Sequence, residues 1–319
     1  MLSRTPAQRL CRPLRSHRTR PLVNRARAGV SSTRGQAAPA AGRCPMFCDR
    51  GSVAAMGLER IRIVLVRPQH AGNVGAAARA MKNMGLERLV LVAPQRWDPA
   101  QATTMAVHAA DVLAHLRQVE SLAAAIADCG LVVGTSGRTT AAQLGALPPR
   151  TLAPEIVAAS AANDVALVFG PEDHGLSNDD LACCQRVVSI PTAAAYGSLN
   201  LAQAVVVCVY ELLLAAGGAD SGGATASAGV APTGTAATAD GTRTLAANAR
   251  LELMYAKLET ALCAIGFLHR DTAAPMMRAL RRTLGRAALD EQEASVFLGL
   301  ARQIAWAAAE RQKGPVEGT

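Results

Sequence analysis

Apolar residues follow two different periodicities along this chain. Between residues 57 and 216, short β-rich runs are separated by segments in which apolar residues recur at helical spacing. Chains that alternate strands with helices form a parallel sheet with helices on both faces. The pattern therefore predicts an α/β fold with strands near 61–66, 88–93, 131–134, 165–169 and 187–190.

Helices are expected between these strands. The first should run from Val74 to Met84 and end at Gly85, because glycine is a common C-terminal cap. Further helices are expected near 101–116, 119–128 and 153–161, after Ser177, and from Leu199 onward. Loops at the carboxyl ends of parallel strands usually bind the ligand, so functional residues are expected in those loops.

The rest of the chain is organised differently. Residues 1–56 show no hydrophobic periodicity, and 217–242 consist mainly of Gly, Ala, Ser and Thr, which predicts a disordered leader and a flexible linker. Beyond the linker only helical periodicity is found, with helices near 243–265, 274–286 and 290–312. We therefore expect four regions: 1–56, an α/β domain at 57–216, 217–242, and a small all-helical extension at 243–313.

Charge is concentrated in the leader. The formal net charge is +9, yet residues 1–55 contain eleven arginines and one acid, Asp49. The whole chain has 33 basic and 24 acidic residues, so the part after residue 55 has 22 basic and 23 acidic residues. This part is nearly neutral, and the overall charge therefore does not indicate nucleic-acid binding. The leader has the composition of a mitochondrial or plastid transit peptide. It is alternatively a translated upstream region of a cytoplasmic protein that starts at Met46 or Met56.

Neither a membrane segment nor a metal site is expected. The longest apolar run, 199–216, contains Asn200 and Glu211, whereas a membrane-spanning helix needs roughly 20 apolar residues. The cysteines after the leader lie in apolar segments without the spacing of metal ligands. This predicts reduced core residues in a reducing compartment: Cys129, Cys183, Cys184, Cys208 and Cys263.

Three segments at predicted strand ends combine glycine with polar residues. The first, 70–81, places Asn73 beside two glycines and Arg79 on an alanine-rich stretch. The second, 169–177, reads Phe-Gly-Pro-Glu-Asp-His-Gly-Leu-Ser, and the third, 190–203, opens an apolar helix with Ser198 and Asn200. A buried amide in so apolar a helix needs a hydrogen-bonding partner.

Each segment taken singly also has a structural interpretation. The first could be a turn that leads into a packed helix, the second a strand-to-helix turn capped by Ser177, and Ser198 could be an N-cap. A dinucleotide-binding site is disfavoured because no Gly-x-Gly precedes Gly72 and Gly75. The Asp173–His174 pair suggests acid–base chemistry only weakly, and we assign no catalysis to it.

The helical extension carries one basic face. Four arginines, Arg278, Arg281, Arg282 and Arg286, recur at the spacing of one helix face. They are either a solvated face or a surface that contacts phosphate groups. The absence of interleaved acids leaves the second interpretation open.

Taken together, the three segments resemble the three ordered motifs of the SpoU branch of knotted methyltransferases. The matching patterns are G-N-V-G-A-x-x-R-A at 72–80, F-G-P-E-x-x-G-L-S at 169–177, and I-P followed by S-L-N-x-x-x-A at 190–204. Residues 130–138 and the extension around 277–282 are similar to the TrmJ subgroup, whose members methylate the 2′-hydroxyl of nucleotide 32 in the tRNA anticodon loop.

The resemblance implies a deep C-terminal trefoil knot, an exception to the rule that chains do not thread loops. It implies S-adenosylmethionine as cofactor, tRNA as substrate, and a homodimer in which each site is completed across the interface. The catalytic residues implied are Asn73, Arg79, Glu172, Ser198 and Asn200. The cofactor-binding residues implied are Thr135, Ser136, Gly137, Gly170, Ile190, Gly197, Ser198 and Leu199. The arginines at 278, 281, 282 and 286 are the expected RNA contacts.

Other functions remain open at this point. Within the class, the substrate could be ribosomal RNA or another tRNA position. Outside it, a nucleotide-binding dehydrogenase or a catalytically silent RNA-binding homologue could share the α/β pattern. The role of Arg79 also has two interpretations: it could assist deprotonation of the 2′-hydroxyl, or it could clamp a phosphate group. An arginine stays protonated in proteins, which favours the clamp.

Overall fold

The computed structural model describes residues 57–137, 144–193, 197–220, 243–269 and 271–312. Within these ranges a single sheet of six strands organises the α/β domain. The strands are β1 Ile61–Val66, β2 Arg88–Val92, β3 Arg117–Val119, β4 Leu131–Thr135, β5 Val165–Phe169 and β6 Arg186–Val188. All neighbouring strands pair in parallel, in the order β3-β2-β1-β5-β4-β6. The predicted parallel sheet is confirmed, and the predicted leader and most of the predicted linker lie outside the described residues.

Strand β3 was not predicted. It comprises only Arg-Gln-Val, and two of its three residues are exposed at the edge of the sheet. Edge strands of this length carry no apolar alternation, so the sequence offers no signal for them. Arg117 and Gln118 fall between the helices predicted near 101–116 and 119–128, and Val119 falls at the start of the second.

In the described part of the α/β domain, seven helices pack on the sheet. They are α1 Ala71–Asn83, α2 Pro99–Ala106, α3 Ala110–Ala114, α4 Leu122–Ile126, α5 Pro149–Ser160, α6 Asn178–Ala182 and α7 Leu201–Asp220. The helix predicted at 101–116 is in fact two helices separated at Val107, whose φ of +55° no continuous helix accommodates. Helix α7 extends four residues past the predicted domain end at 216.

The central strand β1 supplies both faces of the core. Ile61, Ile63 and Leu65 belong to the apolar cluster formed with α1, α5 and α7. Val64 and Val66 point to the other face and pack with α4 and α6. Successive strand residues point to opposite faces, so a continuous apolar run fits a strand covered on both sides.

One position in this strand is a buried arginine. The side chain of Arg62 is 2% exposed and donates to both carboxylate oxygens of Asp128, each at 2.7 Å, and to Asp164 at 3.0 Å. Arg88 on the neighbouring strand also pairs with Asp164 at 2.8 Å. The hydrogen bond from Arg62 lowers the pKa of Asp128 despite the opposing effect of burial. This ion-pair network was not predicted from the sequence.

The helical extension consists of α8 Asn248–Ala264, α9 Ala273–Ala287 and α10 Glu291–Gln312. Their own apolar cluster joins the three helices into a bundle. The starts of α8 and α10 lie together, since Arg250 donates to Ser295 at 3.1 Å. The predicted helices are thus confirmed, whereas Cys263 is exposed rather than part of the core.

The extension attaches to the amino ends of the strands. Asn163, just before β5, donates to the Arg243 carbonyl at 3.0 Å and accepts from the Leu245 amide at 2.7 Å. Gln185, just before β6, donates to Asn248 at 3.0 Å. The loops at the carboxyl ends therefore lie at the opposite edge of the sheet from the extension.

Candidate active site

Helix α1 begins earlier than predicted. Its first residue is Ala71, so Gly72, Asn73 and Gly75 lie in the helix rather than in a turn before it. A Cβ atom at Gly75 would lie 2.0 Å from the Ala102 carbonyl oxygen of α2, so the glycine permits the close crossing of the two helices. This placement carries Asn73 on the first turn of α1, next to the carboxyl end of β1.

Glu172 links the first and second motifs. One carboxylate oxygen accepts from the side chain of Asn73 at 2.7 Å, and the other accepts from the backbone amide of Gln69 at 2.9 Å. The side-chain amide of Asn200 donates to the oxygen of Asn73 at 3.0 Å, which adds the third motif. One chain of hydrogen bonds thus joins the three predicted catalytic residues Glu172, Asn73 and Asn200.

Asn200 also caps helix α7. Its side-chain oxygen accepts from the Ala202 amide at 2.9 Å, and the side-chain oxygen of Gln203 accepts from the Asn200 amide at 3.3 Å. The two bonds satisfy amides at the start of α7 and place Asn200 at its N-cap. The interpretation of Ser198 as the N-cap is therefore wrong, because the helix begins at Leu201.

A single pocket gathers the predicted cofactor residues. It lies at the carboxyl ends of β4, β5 and β6, and its lining includes every one of them: Thr135, Ser136, Gly137, Gly170, Ile190, Gly197, Ser198 and Leu199. Glu172 lines the same pocket. The lining also includes residues that the motif comparison did not assign, namely Phe169, Pro171, Asp173, His174, Gly175, Leu176, Val188, Thr192, Leu201 and Ala204.

The shape of the pocket depends on close backbone packing. A Cβ atom at Gly170 would lie 2.2 Å from the carbonyl carbon of Gly175, so only glycine allows the β5–α6 loop to fold back on itself. The hydroxyl of Thr135 donates to the Val168 carbonyl at 3.0 Å, and the Ser136 amide donates to the Val188 carbonyl at 2.9 Å. These contacts hold the three strand-end loops together.

Two adjacent polar residues, Asp173 and His174, line the pocket. Nδ1 of His174 lies 2.5 Å from a carboxylate oxygen of Asp173. Desolvation acts to raise the pKa of Asp173, but the hydrogen bond from Gln69 and the proximity of His174 outweigh it and lower that pKa. Both residues line the pocket, which the sequence alone did not indicate.

Arg79 is not brought to this pocket within one chain. It is exposed, and it lies six residues beyond Asn73 on α1, or about 9 Å along the helix axis. Within the described part of the chain, it makes no hydrogen bond or ion pair and does not line the pocket. The structure of one chain therefore unites four of the five predicted catalytic residues, Asn73, Glu172, Ser198 and Asn200, and leaves Arg79 apart.

The four arginines of α9 differ in their surroundings. Arg281 donates to both carboxylate oxygens of Glu252, at 2.5 and 2.8 Å, and its guanidinium lies 4.4 Å from the ring centre of Tyr255. No acid is interleaved among the four arginines on α9, as the sequence indicated, but Glu252 of α8 neutralises Arg281. Arg282 and Arg286 are exposed and Arg278 is partly exposed, and none of the three pairs with an acid among the described residues.

The parallel sheet and the pocket shared by its strand-end loops define an α/β methyltransferase of the SpoU class. Residues 60–210 match the SpoU rRNA Methylase family, and residues 249–314 match the C-terminal domain of the tRNA methyltransferase TrmJ. Both matches follow the division between the α/β domain and the helical extension. The chain belongs to the TrmJ family of SpoU-class methyltransferases.

Characterised relatives share most of the chain. It is 42% identical over 244 residues to the tRNA (cytidine/uridine/adenosine-2′-O-)-methyltransferase TrmJ of Pseudomonas aeruginosa, covering 76% of this chain and 93% of the relative. It is 38% identical over 247 residues to the tRNA (cytidine/uridine-2′-O-)-methyltransferase TrmJ of Salmonella typhimurium, covering 77% and 97%. Both parts of the chain are therefore represented in the relatives.

Solved structures agree with this assignment. The crystal structure of TrmJ from Zymomonas mobilis (Z. mobilis ZM4) is similar with a TM-score of 0.61 and 30% identity, covering 76% of this chain and 98% of that one. A putative methylase family protein from Neisseria gonorrhoeae has a TM-score of 0.51 and 32% identity, covering 63% and 94%. The described helices include none long and apolar enough to cross a membrane. The described residues also include no cluster of His, Cys, Asp or Glu that could hold a metal ion.

Proposed function

We propose that this protein transfers a methyl group from S-adenosylmethionine to a ribose 2′-hydroxyl of tRNA, at nucleotide 32 of the anticodon loop. The observation that carries the proposal is the hydrogen-bonded chain Glu172–Asn73–Asn200 at the mouth of a glycine-lined pocket. Its three members come from the three motifs that the family shares. The relatives named as tRNA 2′-O-methyltransferases support tRNA as the substrate.

The chemistry of the pocket fits S-adenosylmethionine. Phe169, Leu176 and Val188 give apolar walls that suit a flat base, while Glu172 and Asp173 give negative charge that suits a cationic ligand. The closely packed glycines leave backbone groups at the surface of the pocket. Residues 135–137, Gly170, Ile190 and 197–199 would hold the cofactor.

Positioning accounts for most of the chemistry that these residues can perform. When bound, S-adenosylmethionine supplies an electrophilic methyl group. Glu172 accepts two hydrogen bonds and is therefore fixed, and it fixes the amide of Asn73 in turn. Asn73, Asn200 and Ser198 are then placed to orient the ribose hydroxyl, and such orientation can supply a large part of a rate enhancement. A 2′-hydroxyl acceptor restricts the substrate to RNA.

A homodimer completes this proposal. Val206 and Tyr210 lie one turn apart on α7 and are 42% and 45% exposed, and Met105 adds a third exposed apolar side chain beside α1. Burial of such exposed apolar side chains against a second copy is favourable. In a dimer the Arg79 of each chain would serve the pocket of the other, which explains its separation from its own pocket. We propose that Arg79 binds a phosphate group of the substrate in the pocket of the other chain. Its positive charge would then favour the deprotonated form of the 2′-hydroxyl.

The helical extension and the loops have further proposed roles. Arg278, Arg282 and Arg286 form a basic row on α9 that pairs with no acid among the described residues, and we assign this row to the tRNA backbone with a weaker role for Arg281. Because the extension lies at the amino ends of the strands, a substrate that reaches both this row and the pocket must extend along the domain. The convergence of the strand-end loops supports the trefoil knot as part of the same proposal.

Ribosomal RNA is the second candidate substrate, because the family that matches residues 60–210 is described by its rRNA methylases. The match of residues 249–314 to the TrmJ C-terminal domain favours tRNA. The bacterial TrmJ relatives support a cytoplasmic location, and a transit peptide at 1–56 would instead direct the protein to an organelle.

Methyl transfer from labelled S-adenosylmethionine to unmodified tRNA transcripts tests the function. Wild type, Arg79→Ala and the control Arg60→Ala would be compared, because Arg60 is also exposed but lies at the amino edge of the sheet. We expect label on the ribose of nucleotide 32, lost in Arg79→Ala and retained in Arg60→Ala. Label on ribosomal RNA alone would support the second candidate, and failure to bind the cofactor would overturn both.

A further inference from the structure

We propose that Arg67 is a positioning residue, which holds the β1–α1 and β5–α6 loops together through Asp180 and so sets the orientation of Glu172. The proposal rests on the proposed function, since it concerns the same site. Arg67 does not line the pocket, and it belongs to none of the three motifs. Its effect on the reaction would therefore be indirect.

The side chain of Arg67 forms a half-buried ion pair. Its Nη2 donates to Oδ2 of Asp180 at 2.5 Å, and the two side chains are 34% and 10% exposed. The same Asp180 oxygen accepts from the amide and the hydroxyl of Ser177, at 2.9 and 2.7 Å, in the capping box of α6. Burial alone would raise the pKa of Asp180, but the hydrogen bonds from Arg67 and Ser177 lower it. The carboxylate therefore stays charged at neutral pH.

The backbone of Arg67 is also unusual. Its φ is +49°, in the left-handed region that residues other than glycine seldom adopt, and Pro68 follows it. The amide of Arg67 donates to the Val92 carbonyl at 2.7 Å, which holds this conformation at the end of β1. The bend directs the chain toward Gln69, whose amide donates to Glu172 at 2.9 Å. Strained residues persist where surrounding contacts enforce them, often near functional sites.

The two loops are therefore joined at two places. Gln69 and Asn73 bind Glu172 near the start of the β5–α6 segment, and Arg67 binds Asp180 eight residues later, on α6. Removing the second connection leaves only the contacts near the start of the segment, at Glu172 and at Asp173, to hold the loops together. The hydrogen bond between Glu172 and Asn73 would then vary in geometry. The hydrogen bond between Asn73 and Asn200 would vary with it.

Kinetics of Arg67 variants test this inference. Arg67→Gln, Arg67→Lys, Asp180→Asn and the control Arg60→Gln would be compared in tRNA methylation, in calorimetric titration with S-adenosylmethionine, and in thermal melts. We expect Arg67→Gln to lower kcat about tenfold, because small misplacements of catalytic groups are costly, with KM and the cofactor Kd changed less than about twofold. Arg67→Lys keeps the charge and should restore part of kcat, while Arg60→Gln should behave as wild type.

A double-mutant cycle separates positioning from a general loss of stability. If Arg67 acts through Glu172, the effects of Arg67→Gln and Glu172→Gln on kcat will be less than additive. Additive effects, an unchanged kcat in Arg67→Gln, or a loss that follows the fraction unfolded would overturn the inference. Wild type that methylates no RNA would refute the proposed function instead, so the two failures are distinguishable.

Discussion

The side-chain amide of Asn200 donates to the side-chain oxygen of Asn73 at 3.0 Å, although the two residues are 127 positions apart. The contact exists because α1 and α7 both start at the carboxyl edge of the same sheet. Asn200 performs a second task there, since its oxygen caps α7 through the Ala202 amide. Asn200 therefore both stabilises α7 and positions Asn73, and suitable substitutions can remove one of these roles without the other.

Asn200→Asp and Asn200→Ala should differ in stability but not in activity. Aspartate keeps the oxygen that caps α7 yet cannot donate to Asn73, whereas alanine loses both contacts. We expect both variants to lose at least about tenfold in kcat. Only Asn200→Ala should lose stability, by about 1 kcal/mol or roughly 2–4 °C in Tm. Methylation assays and thermal melts would check this, and full activity in Asn200→Asp would contradict the role assigned to the Asn73 contact.

Gly75→Ala should destabilise the protein although alanine is the better helix former. Its Cβ would lie 2.0 Å from the Ala102 carbonyl oxygen, so α1 and α2 must separate. Such overpacking costs about 1–3 kcal/mol in unfolding free energy, which exceeds the stabilisation of about 1 kcal/mol expected from the higher helix propensity of alanine. Gly72→Ala is the matched control, because its Cβ would meet only Met105 Cγ, at 3.6 Å. Urea unfolding of both variants would test this, and equal stability would show that α2 moves freely.

Arg62→Met should lower stability and flatten its pH dependence. Removing the arginine leaves Asp128 and Asp164 without their buried partner, and breaking such pairs costs about 3–5 kcal/mol when both charges are buried. Asp128 is 54% exposed, so the loss should fall below that range.

The sign of the pH effect follows from the carboxylates. The hydrogen bond from Arg62 lowers the pKa of Asp128 despite burial, so its contribution is present above the unfolded pKa of about 3.9 and is lost as pH falls through the folded pKa. The pKa of Asp164 is lowered mainly by Arg88, which the variant retains. Wild type should therefore lose more unfolding free energy between pH 7 and pH 3 than Arg62→Met does. Urea unfolding of both proteins at the two pH values would measure this, and an equal loss of unfolding free energy in the two proteins would contradict it.

Arg281→Ala and Arg282→Ala should affect different properties. Arg281 is bound to Glu252 and lies over Tyr255, so its removal should destabilise the bundle. Arg282 is exposed and unpaired among the described residues, so its removal should leave Tm unchanged and weaken tRNA binding. The slope of log K against log salt should then fall by about 1. Filter binding at several salt concentrations would measure it, and an unchanged slope would exclude a phosphate contact at Arg282.

Local patterns were sufficient for the main architecture. The apolar strands, the helices between them and the three helices of the extension follow from periodicity, which each segment carries in its own residues. The strand-end loops that line the pocket were also expected, because such loops of a parallel sheet meet at one edge, while the individual cofactor residues were implied by the resemblance to the SpoU class. Strand β3 was not predicted, because its three residues have no apolar pattern.

The sequence by itself determined the class of fold and the strand-end loops that line the pocket, and its resemblance to the SpoU class implied Asn73, Glu172, Ser198 and Asn200 as site residues. Only the tertiary structure decided which partners the charged residues have. Arg62 and Arg67 look alike in the sequence, yet one is buried against two carboxylates and the other joins two loops. Likewise Arg281 and Arg282 are neighbours, and Arg281 pairs with Glu252 whereas Arg282 pairs with no acid in the described part of the chain. An ion pair forms between residues that are far apart in the sequence and are brought together by folding. A local sequence pattern therefore cannot predict which charged residues will pair.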